Sequence, residues 1–294
     1  MLAMRTILVP VDFSERAIAA SQHAVVLAER FGASLVFAHV IPPAPPEYAG
    51  FEGGYYTARF GPVSEDTLAR VSRQLAETAG KAAGAVPFDT VVREGDPGRE
   101  ISRLAEETGA DLIVMPTHGY GPFRRFILGS VTAKVLHDTH CPVFTGTHVE
   151  EVLARVPSAY HRIAVAVDLG EHSEKVLRWA GCFGAAWDAE LVLIHAAPSL
   201  EVSGRAGQYM GAEWRGALLQ MAQEEAQRLL EKEGAKADLR IDTADVTRWV
   251  PEAVKASGAG LLVIGRSVHP GLLGRLRTHA YALIRESPVP VVSV

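Results

Sequence analysis

The stretch Asp111-Leu-Ile-Val-Met-Pro-Thr-His-Gly-Tyr-Gly-Pro-Phe-Arg-Arg-Phe-Ile-Leu-Gly-Ser-Val-Thr132 decides how the rest of this chain is read. Leu112 to Met115 is a short apolar run of the kind a buried parallel strand requires, and it stops at Pro116 before a glycine-rich segment. That segment ends in Gly129-Ser130, where the serine is placed to cap a helix beginning Val131-Thr-Ala-Lys-Val-Leu136. A glycine ahead of a helix start leaves backbone N–H groups free to face an anion, and the helix dipole favours negative charge there. Strand, glycine loop and helix N-terminus together predict a phosphate cradle. Glycine turns with a capping serine also occur in α/β proteins that bind no phosphate, so the loop alone leaves both readings open.

Upstream, Thr6-Ile-Leu-Val-Pro-Val-Asp12 is an apolar run that closes on an acid. Ser14 is placed to cap a helix with Ile18, Val25, Ala28 and Phe31 on one face and Gly32 at its end. Ser34 to Ile41 is the next strand, and strand, helix and strand at this spacing predict a right-handed βαβ unit. Pro42 to Val63, rich in proline, glycine and tyrosine, is too irregular for an element and reads as a functional lid or a mobile loop. A helix follows over Ser64 to Ala83, then a third strand over Phe88 to Arg93. Asp96 and Pro97 are the cap and first position of another helix, through Ile101 and Leu104, and Cys141 to Thr145 is a fifth strand.

The whole pattern then recurs. Asp168 repeats Asp12 and His195 repeats His39 at one offset of 156 residues, and Ser173 repeats the helix cap. Further on, Asp245 matches Asp96, Arg248 matches Arg99, and Leu261 to Gly265 matches Leu112 to Pro116 at an offset of 149. Such a register held across several elements is a tandem duplication. It predicts one domain over residues 1–147 and a second over 160–294, joined by a polar connector that contains Pro157.

Gly119, the nine residues Tyr120 to Leu128 and then Gly129-Ser130 resemble the ATP-binding universal stress protein family, whose pattern is Gly-x2-Gly-x9-Gly-(Ser/Thr) after the fourth strand. Pro116 stands where the first glycine of that pattern would be, which removes one N–H and fixes φ there. The resemblance covers nearly the whole chain, once per half. It implies an α/β fold of two tandem Rossmann-like (adenine nucleotide alpha-hydrolase-like) domains, each a five-stranded parallel sheet with helices on both faces. Because single-domain members pair through their last strands, it also implies an internal pseudo-dimer in which Pro142 to Thr145 meets Val289 to Val294, with a homodimer of chains as a further assembly.

Carried over residue by residue, the resemblance gives Asp12 a contact to the adenosine end of ATP and Val40 a main-chain contact to adenine. It gives His118, Gly119, Gly129, Ser130, Val131 and Thr132 the phosphate and ribose positions of a site for ATP, with or without Mg. Each has a structural reading beside it: Asp12 also suits the dipole of the helix after Ser14, Val40 is also a buried strand end, and Arg124 and Arg125 either screen phosphate or form a solvated face. In the second half Gly265 restores the first pattern glycine, Val268 replaces the next, and Thr278-His279 replaces Gly-Ser. A β-branched residue in the turn and a lost glycine obstruct close approach of backbone to phosphate, so the second half is expected to serve as scaffold, partner or sensor.

Composition narrows the field. With 294 residues, 48% hydrophobic and 21% charged, the chain is long enough for two domains with separate cores. A net charge of -5 gives no electrostatic case for nucleic acid, and no apolar stretch reaches membrane-spanning length. Two cysteines, Cys141 and Cys182, and no signal-peptide apolar region lead us to expect a soluble cytoplasmic protein. His137, His140 and Cys141 offer no fourth metal ligand, and no nucleophile elbow is present. The expected function is stress-response signalling by nucleotide-dependent conformational change toward an unidentified protein partner. A slow ATPase or nucleotide-transfer enzyme and a nucleotide-free interaction scaffold are the two alternatives.

Overall fold

The computed structural model describes residues 4–43, 47–52, 55–59, 63–117, 128–146, 160–198, 205–266 and 274–294. The described residues between 4 and 141, Leu128 excepted, cluster into one compact unit and those between 142 and 294 into a second. Both are α/β.

The first unit runs β1 (Thr6–Pro10), α1 (Glu15–Phe31), β2 (Ser34–Ile41), β3 (Glu47–Glu52), β4 (Tyr55–Arg59), α2 (Glu65–Ala83), β5 (Phe88–Glu94), α3 (Pro97–Glu107), β6 (Leu112–Val114) and α4 (Ser130–Asp138). Four parallel strands form its sheet in the order β6-β1-β2-β5. Ile7, Leu8 and Val9 of the central β1 are fully buried, as a parallel strand covered on both faces must be. Ser14 caps α1, its Oγ accepting from the Ala17 N–H at 3.2 Å, and Gly32 ends that helix in the left-handed region at φ 67°. The buried stripe of α1 differs from the expected one. It follows Ala17, Ala20, Ser21, Ala24, Leu27 and Ala28, while Ile18 is 40% exposed. Small side chains at helical spacing let the helix lie close on the sheet, and that phase wins over the one set by larger residues.

The segment Pro42 to Val63 is not without elements. β3 and β4 pair antiparallel, with Glu47 opposite Arg59, Tyr48 opposite Ala58 and a register shift before Glu52. Strand-forming Tyr48, Phe51, Tyr55, Tyr56 and Thr57 stand on either side of the sequence Gly53-Gly54, a hairpin signal that the flanking prolines obscured.

The second unit contains β7 (Val143–Thr145), β8 (Arg162–Ala166), α5 (Ser173–Ala185), β9 (Glu190–Ala197), α6 (Arg205–Glu233), β10 (Ala237–Thr243), α7 (Val246–Ser257), β11 (Leu261–Ile264), α8 (Gly274–Glu286) and β12 (Val291–Ser293). Five strands are parallel in the order β10-β9-β8-β11-β12, and β7 adds to the edge antiparallel to β12, with Val143 opposite Ser293 and Thr145 opposite Val291. The last strand of the first repeat is thus held in the second unit, on the edge expected to meet it. Helices pack in pairs: α1 with α2 and α3 with α4 in the first unit, α5 with α6 and α7 with α8 in the second.

Candidate functional site

At the carboxyl ends of β1, β2 and β6 the first unit encloses a cavity of about 270 Å³, lined among others by Asp12, His39, Val40, Pro116, Val131 and Thr132. Strand ends in an open parallel sheet are where such folds leave a crevice for a ligand. The geometry of the crevice follows from where β1 stops. Its last paired residue, Pro10, lies opposite Ala38, and the Val11 N–H donates to the Ala38 carbonyl at 2.8 Å. Main-chain groups alternate sides along a strand, so Val40, two residues on, turns its N–H and C=O toward the same side after β1 has left the sheet. His39 and Ile41 face β5 instead, where Ile41 accepts from the Gly95 N–H at 3.0 Å.

The chain after β1 is held by a short hydrogen-bonded loop. Phe13 has φ 63°, a left-handed conformation costly for a bulky residue, and its ring packs on His39 with centroids 4.6 Å apart. Asp12 Oδ1 accepts from the Ser14 N–H at 3.0 Å and from its hydroxyl at 2.5 Å. The His39 Nδ1 lies 2.6 Å from the Val11 carbonyl, a pairing that requires the proton on Nδ1. Asp12 therefore serves the start of α1 through one oxygen while its Oδ2 carries no hydrogen bond among the described residues.

On the opposite side stands the N-terminus of α4. Sequence reading made Ser130 its cap. In the structure Gly129 occupies the cap position, Ser130 is the first helical residue, and no side-chain cap bonds to the first turn among the described residues. Gly129 spends its own N–H on the Thr117 carbonyl at 2.8 Å, and its carbonyl accepts from Ala133 at 2.8 Å. The buried Thr132 hydroxyl donates to the Pro116 carbonyl at 3.0 Å. The helix start is thus pinned to the end of β6, and the N–H groups of its first turn have neither a helical acceptor nor, among the described residues, a side-chain cap. Lys134 ties α4 to α3 through Asp96 at 2.8 Å, and this hydrogen bond holds the Asp96 carboxyl below the usual carboxylate range.

The structure brings Asp12, Val40, Val131 and Thr132 to one cavity and sets Gly129 and Ser130 at the start of the helix that walls it. His118 and Gly119 lie outside the described residues. Sequence reading missed Phe13, whose left-handed backbone has its twin in Leu169 at φ 59°, one repeat later.

The second unit carries a matching cavity of about 250 Å³ at the ends of β8, β9 and β11. Asp168 Oδ1 accepts from the Gly170 N–H at 2.9 Å and the Ser173 hydroxyl at 3.0 Å, and His195 Nδ1 lies 2.9 Å from the Val167 carbonyl. Ser173 is not the helix cap that the repeat suggested. His172 precedes the helix without capping it, and Ser173, in the first helical position, turns its hydroxyl to Asp168. Asp245 caps α7 by accepting from the Thr247 and Arg248 N–H groups, and its carboxyl too is held below the usual range, first by the Thr247 hydroxyl.

Elsewhere, His137 Nδ1 pairs with Asp138 at 2.7 Å and the Cys141 thiol donates to the Ala110 carbonyl at 3.0 Å. Among the described residues no three His, Cys, Asp or Glu side chains are grouped to hold a metal ion, and no helix is long and apolar enough to cross a membrane.

Against known proteins, the model of the universal stress protein family matches residues 4–145 and again 159–294. Universal stress protein MJ0531 of Methanocaldococcus jannaschii is 33% identical over 141 residues, 47% of this chain and 79% of that protein. A universal stress protein of Thermus aquaticus is 32% identical over 142 residues, 47% of this chain and 96% of that protein. The crystal structure of a universal stress protein from Archaeoglobus fulgidus covers 100% of this chain and 97% of its own at a TM-score of 0.68, with 20% identity, a likeness of fold.

Proposed function

The chain belongs to the universal stress protein family, in tandem form, and from that premise we propose that its first domain, residues 1–147, binds ATP or a related adenine nucleotide and signals by changing conformation. The observation that carries this reading is the start of α4: a glycine cap, no side-chain cap among the described residues, and a cavity of about 270 Å³ beside it. An uncapped helix N-terminus offers N–H donors and a positive dipole end to phosphate oxygens. The rest of the cavity complements the other end of the molecule. Val40 offers a main-chain donor and acceptor side by side, suited to the edge of a purine, and Asp12 Oδ2 is placed to accept from a ribose hydroxyl. Ser130 and Thr132 sit in the first turn of α4, where their N–H groups, with that of Val131, would hold the phosphates and any Mg that accompanies them.

Signalling rather than turnover is favoured by the lining. The Asp12 carboxylate already holds the α1 cap, and among the described lining residues there is no lysine or arginine and no second carboxylate. Pro42 lines the cavity and stands five positions before Glu47, where the β3–β4 hairpin begins, so a bound nucleotide is close in sequence to that hairpin. Binding that favours one arrangement of that hairpin shifts its population, and a protein partner reads the shift. Native mass spectrometry of the full chain with Mg·ATP tests the reading. We expect one ATP adduct per chain, intact after prolonged incubation and weakened at least about tenfold in Gly129→Val, whose backbone at φ -59° accepts a side chain without strain. Absence of any adduct at millimolar ATP would leave the nucleotide-free scaffold as the better reading.

A further inference from the structure

The second cavity is of nearly the same size as the first but walled differently, and the difference defines a ligand. Its adenosine-side features persist. β8 ends at Ala166, opposite Ile194, and the Val167 N–H donates to the Ile194 carbonyl at 3.1 Å. By strand alternation Ala196, two residues on, turns its N–H and C=O toward the crevice, where no β8 residue stands opposite it. Asp168 lines the same crevice, and with Oδ1 taken by Gly170 and Ser173 its Oδ2 has no hydrogen-bond partner among the described residues.

Its phosphate side is gone, and the reason is a helix. Thr278 and His279 match Gly129 and Ser130 in the repeat, but α8 begins at Gly274, four residues before Thr278, whereas α4 begins at Ser130 itself. The N–H groups of residues 278–280 therefore donate to the carbonyls of residues 274–276 inside the helix. Among the described residues, no helix start with unpaired amides faces the cavity at that place. Side chains wall it instead, with Leu283 standing where the first half has Lys134. Among the described residues the lining carries one carboxylate, Asp168, one guanidinium, Arg266, and three imidazoles, His172, His195 and His279, so that its formal charges are one of each sign.

We infer that the second cavity is a binding site for an uncharged, nucleoside-sized molecule: a flat heteroaromatic body whose donor–acceptor edge meets the Ala196 main chain, with a hydroxyl on Asp168 and no phosphate chain. Apolar walls from Val176, Ile194, Val250, Ile264 and Leu283 take the flat body. Among the described residues a triphosphate finds no helix terminus at the repeat position of Gly129 and meets the flank of α8 at His279, Ala280 and Leu283 instead.

Adenosine is the probe, and the full chain is titrated by native mass spectrometry with and without saturating Mg·ATP. The expected result is an adenosine adduct that forms on the ATP-loaded chain and weakens at least about tenfold in Asp168→Asn and in Ala196→Leu, with the ATP adduct unchanged in both. Asp168→Asn keeps an oxygen for Gly170 and Ser173, and Ala196 is only partly buried, so circular dichroism and melting temperature are expected to match the parent. An adenosine adduct indifferent to both substitutions, no adenosine adduct at millimolar concentration, or an ATP adduct lost with Asp168→Asn would each overturn the assignment. If ATP binds nowhere, the reading of the first domain fails, while the sensitivity of the adenosine adduct to the two substitutions still reports on the second cavity.

Discussion

Gly129 to Val131 and Thr278 to Ala280 occupy the same place in the repeat, yet one triplet opens a helix and the other lies inside one. Around them the two units agree closely: Asp12 and Asp168 each hold the start of a helix, Phe13 and Leu169 share a left-handed backbone, and His39 and His195 each face the carbonyl after the first strand. The lesson is that a duplicated site diverges most economically at a helix start. Extending α8 by about one turn converts free N–H groups into helical ones without disturbing the sheet or filling the cavity.

The halves also differ in the core, and this is where the largest effect is expected. Trp179 stacks on Phe183 with centroids 5.1 Å apart, and Phe183 adjoins Tyr160 and Trp187. One repeat earlier the position of Trp179 holds His23, 1% exposed, whose pKa burial lowers to about 4. Its folded pKa lies below the ordinary value of 6.5, so the unfolded chain binds the extra proton first. The stabilising contribution is complete above pH 6.5 and is lost as pH falls toward 4, to an extent of roughly 3 kcal/mol. Hydrogen exchange resolved by residue is expected to show the first unit loosening over that window ahead of the second. His23→Leu should flatten the difference; an unchanged pH profile in that variant would remove His23 as its source.

A smaller effect tests the helix boundary directly. Thr278→Gly with His279→Ser rewrites the second half to the Gly-Ser of the first. If α8 is held by its contacts with α7, the helix persists, the glycine costs about 1 kcal/mol of stability, and no second ATP is bound. A second ATP adduct in this double variant would show that two side chains alone separate the halves.

That boundary marks how far the sequence could be read. The duplication, the strands of each half and the Asp96 and Ser14 caps were legible, because apolar runs and capping residues act within a few positions of themselves. The start of α8 was not, since Thr278-His279 was scored as a damaged loop when neither residue forbids a helix. Ser130 was misread for a related reason: serine is a strong cap by habit, but the bond from Gly129 to Thr117 sets the helix one residue earlier than local preference would. The alternation that turns Val40 and Ala196 into the crevice depends on where β1 and β8 end, which only the pairing register supplies.

The smallest predicted effect concerns the tie between α3 and α4. Asp96 accepts from the Arg99 N–H as the cap of α3 and pairs with Lys134 of α4, whereas in the second half Asp245 caps α7 and Leu283 stands at the lysine position. The Asp96 side chain is 48% exposed and that of Lys134 33%, and an ion pair at the surface contributes at most about 1 kcal/mol, screened by salt. Asp96→Asn retains a capping oxygen and removes the charge; Lys134→Met removes the partner and keeps the stem against Gly98, where an added Cβ would stand 2.8 Å from the Lys134 Cβ. A double-mutant cycle should therefore return a coupling of a few tenths of a kcal/mol that fades in high salt. Because the lowered Asp96 pKa makes this contribution present above the ordinary carboxylate pKa and lost as pH falls through the folded value, the same cycle at low pH should return nothing. A coupling that survives both salt and acid would mean that Lys134 acts through its packing on Gly98, and that the first half fixes the angle of α4 by shape where the second half uses an apolar side chain.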